Sequence, residues 1–200
     1  MTENAISGAD FTSLRQDVRY LMDRTEILDC IARHARGCDR HDDDLITSAY
    51  HDGAVDEHGN TVTAGQEYAA WANRVHAATS QNHLHNITTH ACEIDGDVAH
   101  AESYSLVALL GHDGTTAQLI VGRYLDRLER RDGAWRIAVR RSTVELMFTA
   151  DASVLQSSFF RAQGYLKGAR GVDDLSYGRP LELTTPAPER WSSTQNGHAS

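Results

Sequence analysis

The sequence predicts one α+β domain, in which helices come first and a curved antiparallel sheet follows. Apolar residues recur at three- and four-residue spacing over residues 10–39, which is typical of a helix with one buried face. Four long segments of strand-like composition follow Thr79, and short turns rich in glycine and aspartate join them. A length of 200 residues and a hydrophobic fraction of 40% suit a single core.

The expected helices are Asp10–Asp39, a short one over residues 45–50 and Ala64–Ala78. Thr25 and Glu26 could restart a second helix after a kink in the first. One of the aspartates Asp42–Asp44 could cap the short helix, and Thr63 could cap the third. A short strand is expected near Ala54–Glu57.

The expected long strands are Asn82–Ile94, Val98–Leu110, Thr116–Arg130 and Trp135–Phe148. A meander of this kind must cover its apolar face, and the helices that precede it are the available cover. Asp151–Leu166 is expected to form one more helix. The predicted organisation is a domain over residues 10–150, an extension over 151–182 that could be a lid or an oligomer contact, and a disordered tail over 183–200.

Composition excludes several classes of function. The net charge of −9 argues against nucleic acid and anionic membranes as partners. We expect no signal peptide, because the first ten residues have neither a basic region nor an apolar run. Cys30, Cys38 and Cys92 are odd in number and scattered, which favours reduced thiols and a cytoplasmic location.

Three groups of residues could carry chemistry. Asp39 directly follows the apolar helix face, so its carboxylate could point under the sheet. His83 and His85 are two residues apart and share one face of a strand, whereas His90 falls on the other face unless a bulge intervenes. Arg140 and its neighbour Arg141 point to opposite faces, so at most one enters a pocket. Each group also has a structural explanation, as a solvated loop, a satisfied core histidine or a surface charge.

A metal site would need more ligands than the sequence shows. A His-x-His pair on a strand with a carboxylate is acceptable chemistry for zinc or iron, but no further ligand has a recognisable spacing. Glycine-rich nucleotide-binding motifs, C-x-x-C pairs and G-x-S-x-G are absent. We therefore expect no metal and no cofactor.

Three stretches together resemble the SnoaL-like branch of the nuclear transport factor 2-like (NTF2-like) superfamily. They are RTEILDCIARHARGCDRHD, the histidine segment before CEIDGDVAHAESY, and GRYLDRLERRDGAWRIAVRRS. The resemblance covers about residues 12–182. It implies a cone-shaped α+β barrel in which a bent sheet wraps around the N-terminal helices. Members of this branch are often cofactor-free enzymes, including dehydratases, a dehydrochlorinase, ketosteroid isomerase, polyketide cyclases and lyases.

The resemblance also implies a site. Asp39 occupies the position of an aspartate that holds a catalytic histidine, and that histidine most resembles His85, with His83 as the fallback. Arg140, five residues after Trp135, resembles a pocket arginine of the family.

Two positions depart from the family pattern and leave the substrate open. His34 stands where the family often has Tyr or Lys, and Thr89 stands where Asn is common. His34 and His83 are therefore expected substrate-binding residues. Tyr50, Tyr104 and Glu102 could also face the cavity.

These residues favour a cofactor-independent lyase. His85, assisted by Asp39, would remove a proton from an aromatic or polycyclic substrate, and water, halide or a small carbonyl fragment would leave. The alternatives are an isomerase or cyclase that uses the same base and a non-catalytic ligand-binding domain. We expect a homo-oligomer, as a trimer or a dimer, with a role in the catabolism of aromatic compounds.

Overall fold

A computed structural model describes residues 8–184, 186 and 189–192. The helices are α1 (Gly8–Arg40), α2 (Asp43–Thr47), α3 (Gly65–Thr79) and the single turn α4 (Ser158–Arg161). The strands are β1 (Tyr50–His58), β2 (Thr61–Ala64), β3 (Asn82–Asp95), β4 (Val98–Leu110), β5 (Thr116–Arg131) and β6 (Ala134–Asp151). Turns of 3₁₀ helix cover Ser153–Gln156 and Leu175–Tyr177.

The six strands form one open sheet in the order β2-β1-β6-β5-β4-β3, which confirms the predicted fold class. β3 to β6 form the predicted antiparallel meander. The sheet is not purely antiparallel, however, because β1 runs parallel to β6. It is also not a closed barrel, since β2 and β3 remain its edges. Register shifts in β3, β5 and β6 bend the strands, as bulges do.

α1 is one continuous helix, so the predicted kink at Thr25 is wrong. The Thr25 hydroxyl donates to the Leu21 carbonyl, 2.9 Å away, and is satisfied without leaving the helix. The buried stripe begins only at Asp23 and includes Ile27, Cys30 and Ile31. Several apolar residues of the earlier turns are exposed instead, namely Leu14, Val18, Leu21 and Met22.

The two predicted helix caps have opposite outcomes. The Asp42 side chain accepts a hydrogen bond from the Leu45 backbone N–H at 2.9 Å and caps α2, as predicted. Thr63 lies in β2, and the residue before α3 is Ala64, which makes no side-chain cap. The prediction for Thr63 is therefore wrong.

The chain after the sheet differs most from the prediction. The expected helix Asp151–Leu166 is wrong, because β6 continues to Asp151 in register with Thr116 of β5. Within residues 152–166 only the 3₁₀ turn Ser153–Gln156 and α4 follow. A lid helix is therefore not present.

The extension instead packs back on the end of α1. The Gly171 N–H donates to the Arg40 carbonyl at 2.5 Å, and the Tyr177 hydroxyl donates to Asp42 at 2.6 Å. The predicted disordered tail lies largely outside the described residues, although the described Trp191 N–H donates to the Tyr165 carbonyl.

All three cysteines are free, as predicted, and the structure buries each of them. No helix in the described part of the chain has the length and apolar character needed to cross a membrane.

Candidate active site

A cavity of about 280 Å³ lies between α3 and the concave side of the sheet. Every strand of the meander contributes to its wall, and β1 contributes one residue, His58. The apolar lining residues are Trp71, Val75, Val107, Leu109, Ile120 and Val144, and the polar ones include His58, Tyr68, His76, His85, Ser105, Gln118, Tyr124 and Ser142. The cavity is thus apolar with two groups of imidazoles in its wall.

Asp39 and His85 meet at one end of this cavity. The end of α1 places the Asp39 carboxylate beside β3, where it accepts from the His85 backbone N–H at 2.9 and 3.1 Å. The same carboxylate lies 2.7 Å from the His85 Nδ1. A carboxylate on Nδ1 fixes the imidazole tautomer and stabilises the imidazolium, and it leaves Nε2 as the basic atom. An imidazole held in this way can act as a general base.

His83 shares the face of His85 but does not pair with Asp39. Its Nε2–H donates to the Cys38 carbonyl at 2.9 Å, and its Nδ1 accepts from Arg170 at 3.0 Å. Burial lowers the pKa of His83 to about 4. Both nitrogens are therefore occupied, and the ring does not line the cavity.

His76 of α3 packs against both His83 and His85, with ring centres 4.1 and 5.3 Å away. Burial, followed by the positive charge that neighbouring histidines would carry, lowers the pKa of His76 to about 2. His41 lies 5.4 Å from the His83 ring, and burial lowers its pKa as well. This group, His41, His76 and His83, is called the histidine cluster below.

The histidine cluster brings three ring nitrogens within 4.8 Å of one another, and Asp39, His83 and His85 form a similar group. A divalent metal could use either set only if His83 gave up a hydrogen bond. Arg170 donates to His83 Nδ1, and its positive charge would repel a cation at that atom. The geometry therefore favours neutral imidazoles over metal ligands.

Arg140 and His34 lie behind the cavity wall rather than in it. Both are completely buried. Arg140 forms a two-bond ion pair with Asp126, at 2.7 and 2.8 Å, and lies 3.0 Å from His34 Nδ1. The predicted direct contact of Arg140 with a substrate is therefore not available in this structure.

Tyr50 continues the same network. Its hydroxyl lies 3.0 Å from His34 Nε2 and donates to Asp56 at 2.5 Å. The ring is 1% exposed and, like His34, does not line the cavity. His34 and Tyr50 thus support the wall from behind.

Two other predicted contacts lie away from the cavity. Tyr104 is 43% exposed, and Glu102 bonds to Arg123 at 2.8 Å. Neither lines the cavity, and β5 supplies Tyr124 there instead. The sequence alone did not show which residues of β4 face the cavity, because that depends on how β4 pairs with its neighbouring strands.

Sequence reasoning missed His58 and His76, which both line the cavity. His58 is the one with a carboxylate partner. It lies at the other end of the cavity, with its Nδ1 2.5 Å from Asp56 Oδ1. Asp56 and His58 are two residues apart on β1 and share a face, so the spacing D-x-H was a usable signal. The short strand expected from the sequence ended at Glu57, so His58 was not recognised as a strand residue that shares a face with Asp56.

The model of the SnoaL-like domain family matches residues 19–141, which is more than half of the chain. A comparison with curated proteins found no significant match.

Several solved structures share the fold. A hexachlorocyclohexane dehydrochlorinase (LinA type 2) is 23% identical, with 67% of this chain and 93% of that chain covered and a TM-score of 0.62. An NTF2-like protein with a cystatin-like fold from Novosphingobium aromaticivorans is 23% identical, with 70% and 92% covered and a TM-score of 0.61. A putative scytalone dehydratase from the same organism is 13% identical, with 64% and 88% covered and a TM-score of 0.59.

At these identities the likeness shows the fold alone, whereas the family match rests on the sequence itself. The chain belongs to the SnoaL-like domain family.

Proposed function

We propose that this protein is a cofactor-independent lyase in which His85, held by Asp39, removes a proton from carbon. The observation that carries the proposal is the 2.7 Å contact between the His85 Nδ1 and the Asp39 carboxylate at the wall of an apolar cavity. The names of two structural neighbours, a dehydrochlorinase and a putative dehydratase, denote elimination reactions and agree with this chemistry.

The base acts in three steps. The substrate presents a carbon-bound hydrogen next to a carbonyl group to His85 Nε2. The imidazole takes the proton, and Asp39 stabilises the imidazolium that forms. The electron pair of the broken C–H bond then forms a double bond and expels the group on the next carbon. The side chains of the dyad are only 6% and 10% exposed, so water screens their interaction weakly.

The cavity limits the substrate. Its volume of about 280 Å³ lies near the lower end of the roughly 300–1,000 Å³ found for ligand pockets. Trp71, Tyr68 and Tyr124 offer aromatic faces, and the aliphatic residues offer apolar contact. We therefore propose a small aromatic carbonyl compound of one or two rings.

Deuterium exchange into benzylacetone tests the base alone, because this ketone has no leaving group. In D₂O the wild type should speed exchange at the carbon next to the carbonyl, as measured by mass spectrometry. His85→Gln and Asp39→Asn should each lose about 10²–10⁴-fold of this rate. His100→Gln, at an exposed ring on β4, is the matched control and should keep it.

Wild-type rates of exchange in both dyad variants would sink the proposal. Enzyme-dependent products of unchanged mass from substrates that do carry a leaving group would favour the isomerase alternative instead.

We further propose that the chain forms a homo-oligomer, with a second copy of this chain covering exposed apolar surface. The last part of β6 exposes Val144, Leu146, Met147 and Phe148, each to 50% or more. A run of this kind on a sheet is typical of a protein interface. Light scattering at micromolar concentration should give the mass of a trimer or a dimer, and a monomer would contradict the proposal.

A further inference from the structure

The cavity contains a second imidazole that is held by a second carboxylate. His58 Nδ1 lies 2.5 Å from Asp56 Oδ1. His58 Nε2 lies 2.9 Å from the Ser142 hydroxyl and 3.3 Å from the Tyr68 hydroxyl. The His58 side chain is 22% exposed and lines the cavity, whereas that of Asp56 is 1% exposed. His58 therefore reaches the substrate space, and Asp56 holds it from behind.

The hydrogen bonds behind Asp56 all point towards it. Arg140 can only donate, so His34 Nδ1 accepts from it and His34 Nε2–H donates to the Tyr50 oxygen. Tyr50 in turn donates to Asp56 Oδ2. With His58 on Oδ1, both oxygens of Asp56 accept hydrogen bonds, which is the pattern of an ionised carboxylate.

An ionised Asp56 requires a positive partner. A buried carboxylate without a cation is costly, and His58 is the partner with which Asp56 forms an ion pair in the described part of the chain. Arg140 cannot fill this role, because Asp126 already neutralises it. Burial keeps the Tyr50 hydroxyl protonated, since it raises the pKa of Tyr50 well above its usual value. The proton on His58 therefore completes the charge balance of this end of the cavity.

The other groups around His58 are neutral. Tyr68 on α3 and Tyr124 on β5 have pKa values raised by burial, and Ser142 on β6 does not titrate. His34 on α1 is held neutral, because burial and Arg140 lower its pKa. Across the cavity stand His85, with Asp39, and His76, whose pKa is lowered to about 2. Asp56 is thus the nearest ionisable group that favours a proton on His58.

The two imidazoles are far enough apart to act on one substrate from two ends. His58 packs beside Tyr68 and Trp71 of α3, with ring centres 5.1 and 5.7 Å away, and His85 packs beside His76. Those positions are five to eight residues apart on the helix, or about 8–12 Å at 1.5 Å per residue. In a β-hydroxy ketone the reacting carbon and the β-oxygen lie about 2.4 Å apart, so with a contact of about 3 Å at each end they bridge about 8 Å, the lower end of this range.

We propose that His58, held by Asp56, is the general acid of this site and protonates an oxygen leaving group. His85 Nε2 takes the proton from the carbon next to the carbonyl, and the C–H electron pair forms the carbon–carbon double bond. The bond from the next carbon to oxygen breaks, and that oxygen takes the proton from His58 Nε2. Water leaves, His58 becomes neutral and His85 becomes charged, and proton exchange with solvent resets both rings.

This inference rests on the proposed function, and it adds the chemical class of the substrate. Halide departs as a stable anion and needs no acid, whereas hydroxide is a poor leaving group. An acid that is built into the cavity therefore points to β-hydroxy carbonyl compounds rather than to halogenated ones.

Two ketones of different leaving group test the assignment. The aldol of benzaldehyde with acetone must lose hydroxide, while p-nitrophenoxyethyl methyl ketone loses a stable phenolate. His58→Gln should lower kcat/KM on the aldol by about 10²–10⁴-fold and on the nitrophenyl ether by far less. The wild-type kcat/KM on the aldol should also fall at alkaline pH, because this reaction needs a protonated acid, and the wild-type reaction of the nitrophenyl ether should show no such fall.

Equal losses on the two ketones would overturn the acid role in favour of a structural one, and so would an unchanged rate on the aldol. A wild type that exchanges deuterium into benzylacetone but does not dehydrate the aldol would overturn this inference and leave the proposed base intact.

If His58→Gln does not fold, Asp56→Asn provides the test. Without the carboxylate the imidazolium is less stable, so the alkaline fall in kcat/KM on the aldol should move to lower pH, and an unmoved profile would contradict the assignment.

Discussion

The two ends of the cavity handle buried polar groups in opposite ways. At the His58 end, hydrogen bonds run from Asp126 through Arg140, His34 and Tyr50 to Asp56, and charge is buried with partners. At the His85 end, the histidine cluster packs ring against ring and is kept neutral by burial. The same residue type is thus paired with a buried carboxylate at one end and packed among other imidazoles at the other.

This difference separates the proposed acid from the proposed base. Asp56 has a positive partner only when His58 carries a proton. Asp39 shares its oxygens between the ring and the backbone N–H of His85, and the adjacent cluster and Arg170 oppose further positive charge. Pairs of titratable groups whose environments differ in this way are the usual means by which acid and base roles are divided.

The largest expected effect comes from breaking the charged network. Arg140→Met leaves Asp126 as a buried carboxylate without a cation, so the free energy of unfolding should fall by about 3–5 kcal/mol. Urea denaturation followed by circular dichroism measures the loss. Arg140→Met/Asp126→Leu removes both charges and should recover most of the stability.

The neighbouring residue gives the matched control. Arg141 pairs with Glu57 at the surface, and its side chain is 66% exposed. Arg141→Met should therefore leave the denaturation midpoint unchanged. If Arg140→Met also left the denaturation midpoint unchanged, the buried hydrogen bonds around Arg140 would not stabilise the fold, and the two ends of the cavity would not differ in this way.

The family resemblance implied that Asp39 pairs with a histidine of β3, with His85 first and His83 as the fallback. The end of a helix and the two-residue period of a strand place both side chains, and the family pattern names them. Local periodicity did not decide between His83 and His85, since they share a face. The Cys38 carbonyl and Arg170, which come from distant parts of the chain, hold His83.

Residues whose position depends on pairing between distant strands were harder to predict. His58 enters the cavity because β1 lies parallel to β6, a contact between segments more than 80 residues apart. His90 depends on a local irregularity instead. It faces inward towards Ser103, because the register of β3 shifts between Ile87 and His90. The alternation of faces along a strand could not show whether such a bulge was present. Asp151 was assigned to a helix, but pairing with β5 outweighs helix propensity there.

A smaller effect should come from the histidine cluster at the other end. The folded pKa of His83 is lowered to about 4 and that of His76 to about 2, whereas an unfolded histidine titrates near 6.5. Below pH 6.5 the unfolded state therefore binds protons that the folded state does not, and stability must fall as pH falls. Above pH 6.5 both states are neutral at these rings, so the stability is fully present.

Urea denaturation at pH 7 and pH 5 measures this loss. His83→Gln should lose about 1 kcal/mol less than the wild type over this interval, because one titrating ring is removed. Its stability at pH 7 should also change, since Arg170 and the Cys38 carbonyl lose their partner, so the slope with pH is the quantity to compare. His100→Gln, at an exposed ring, should keep the wild-type slope. A His83→Gln slope equal to the wild-type slope would mean that His83 binds protons equally in the folded and unfolded states, and the contrast between a charged and a neutral end of the cavity would then disappear.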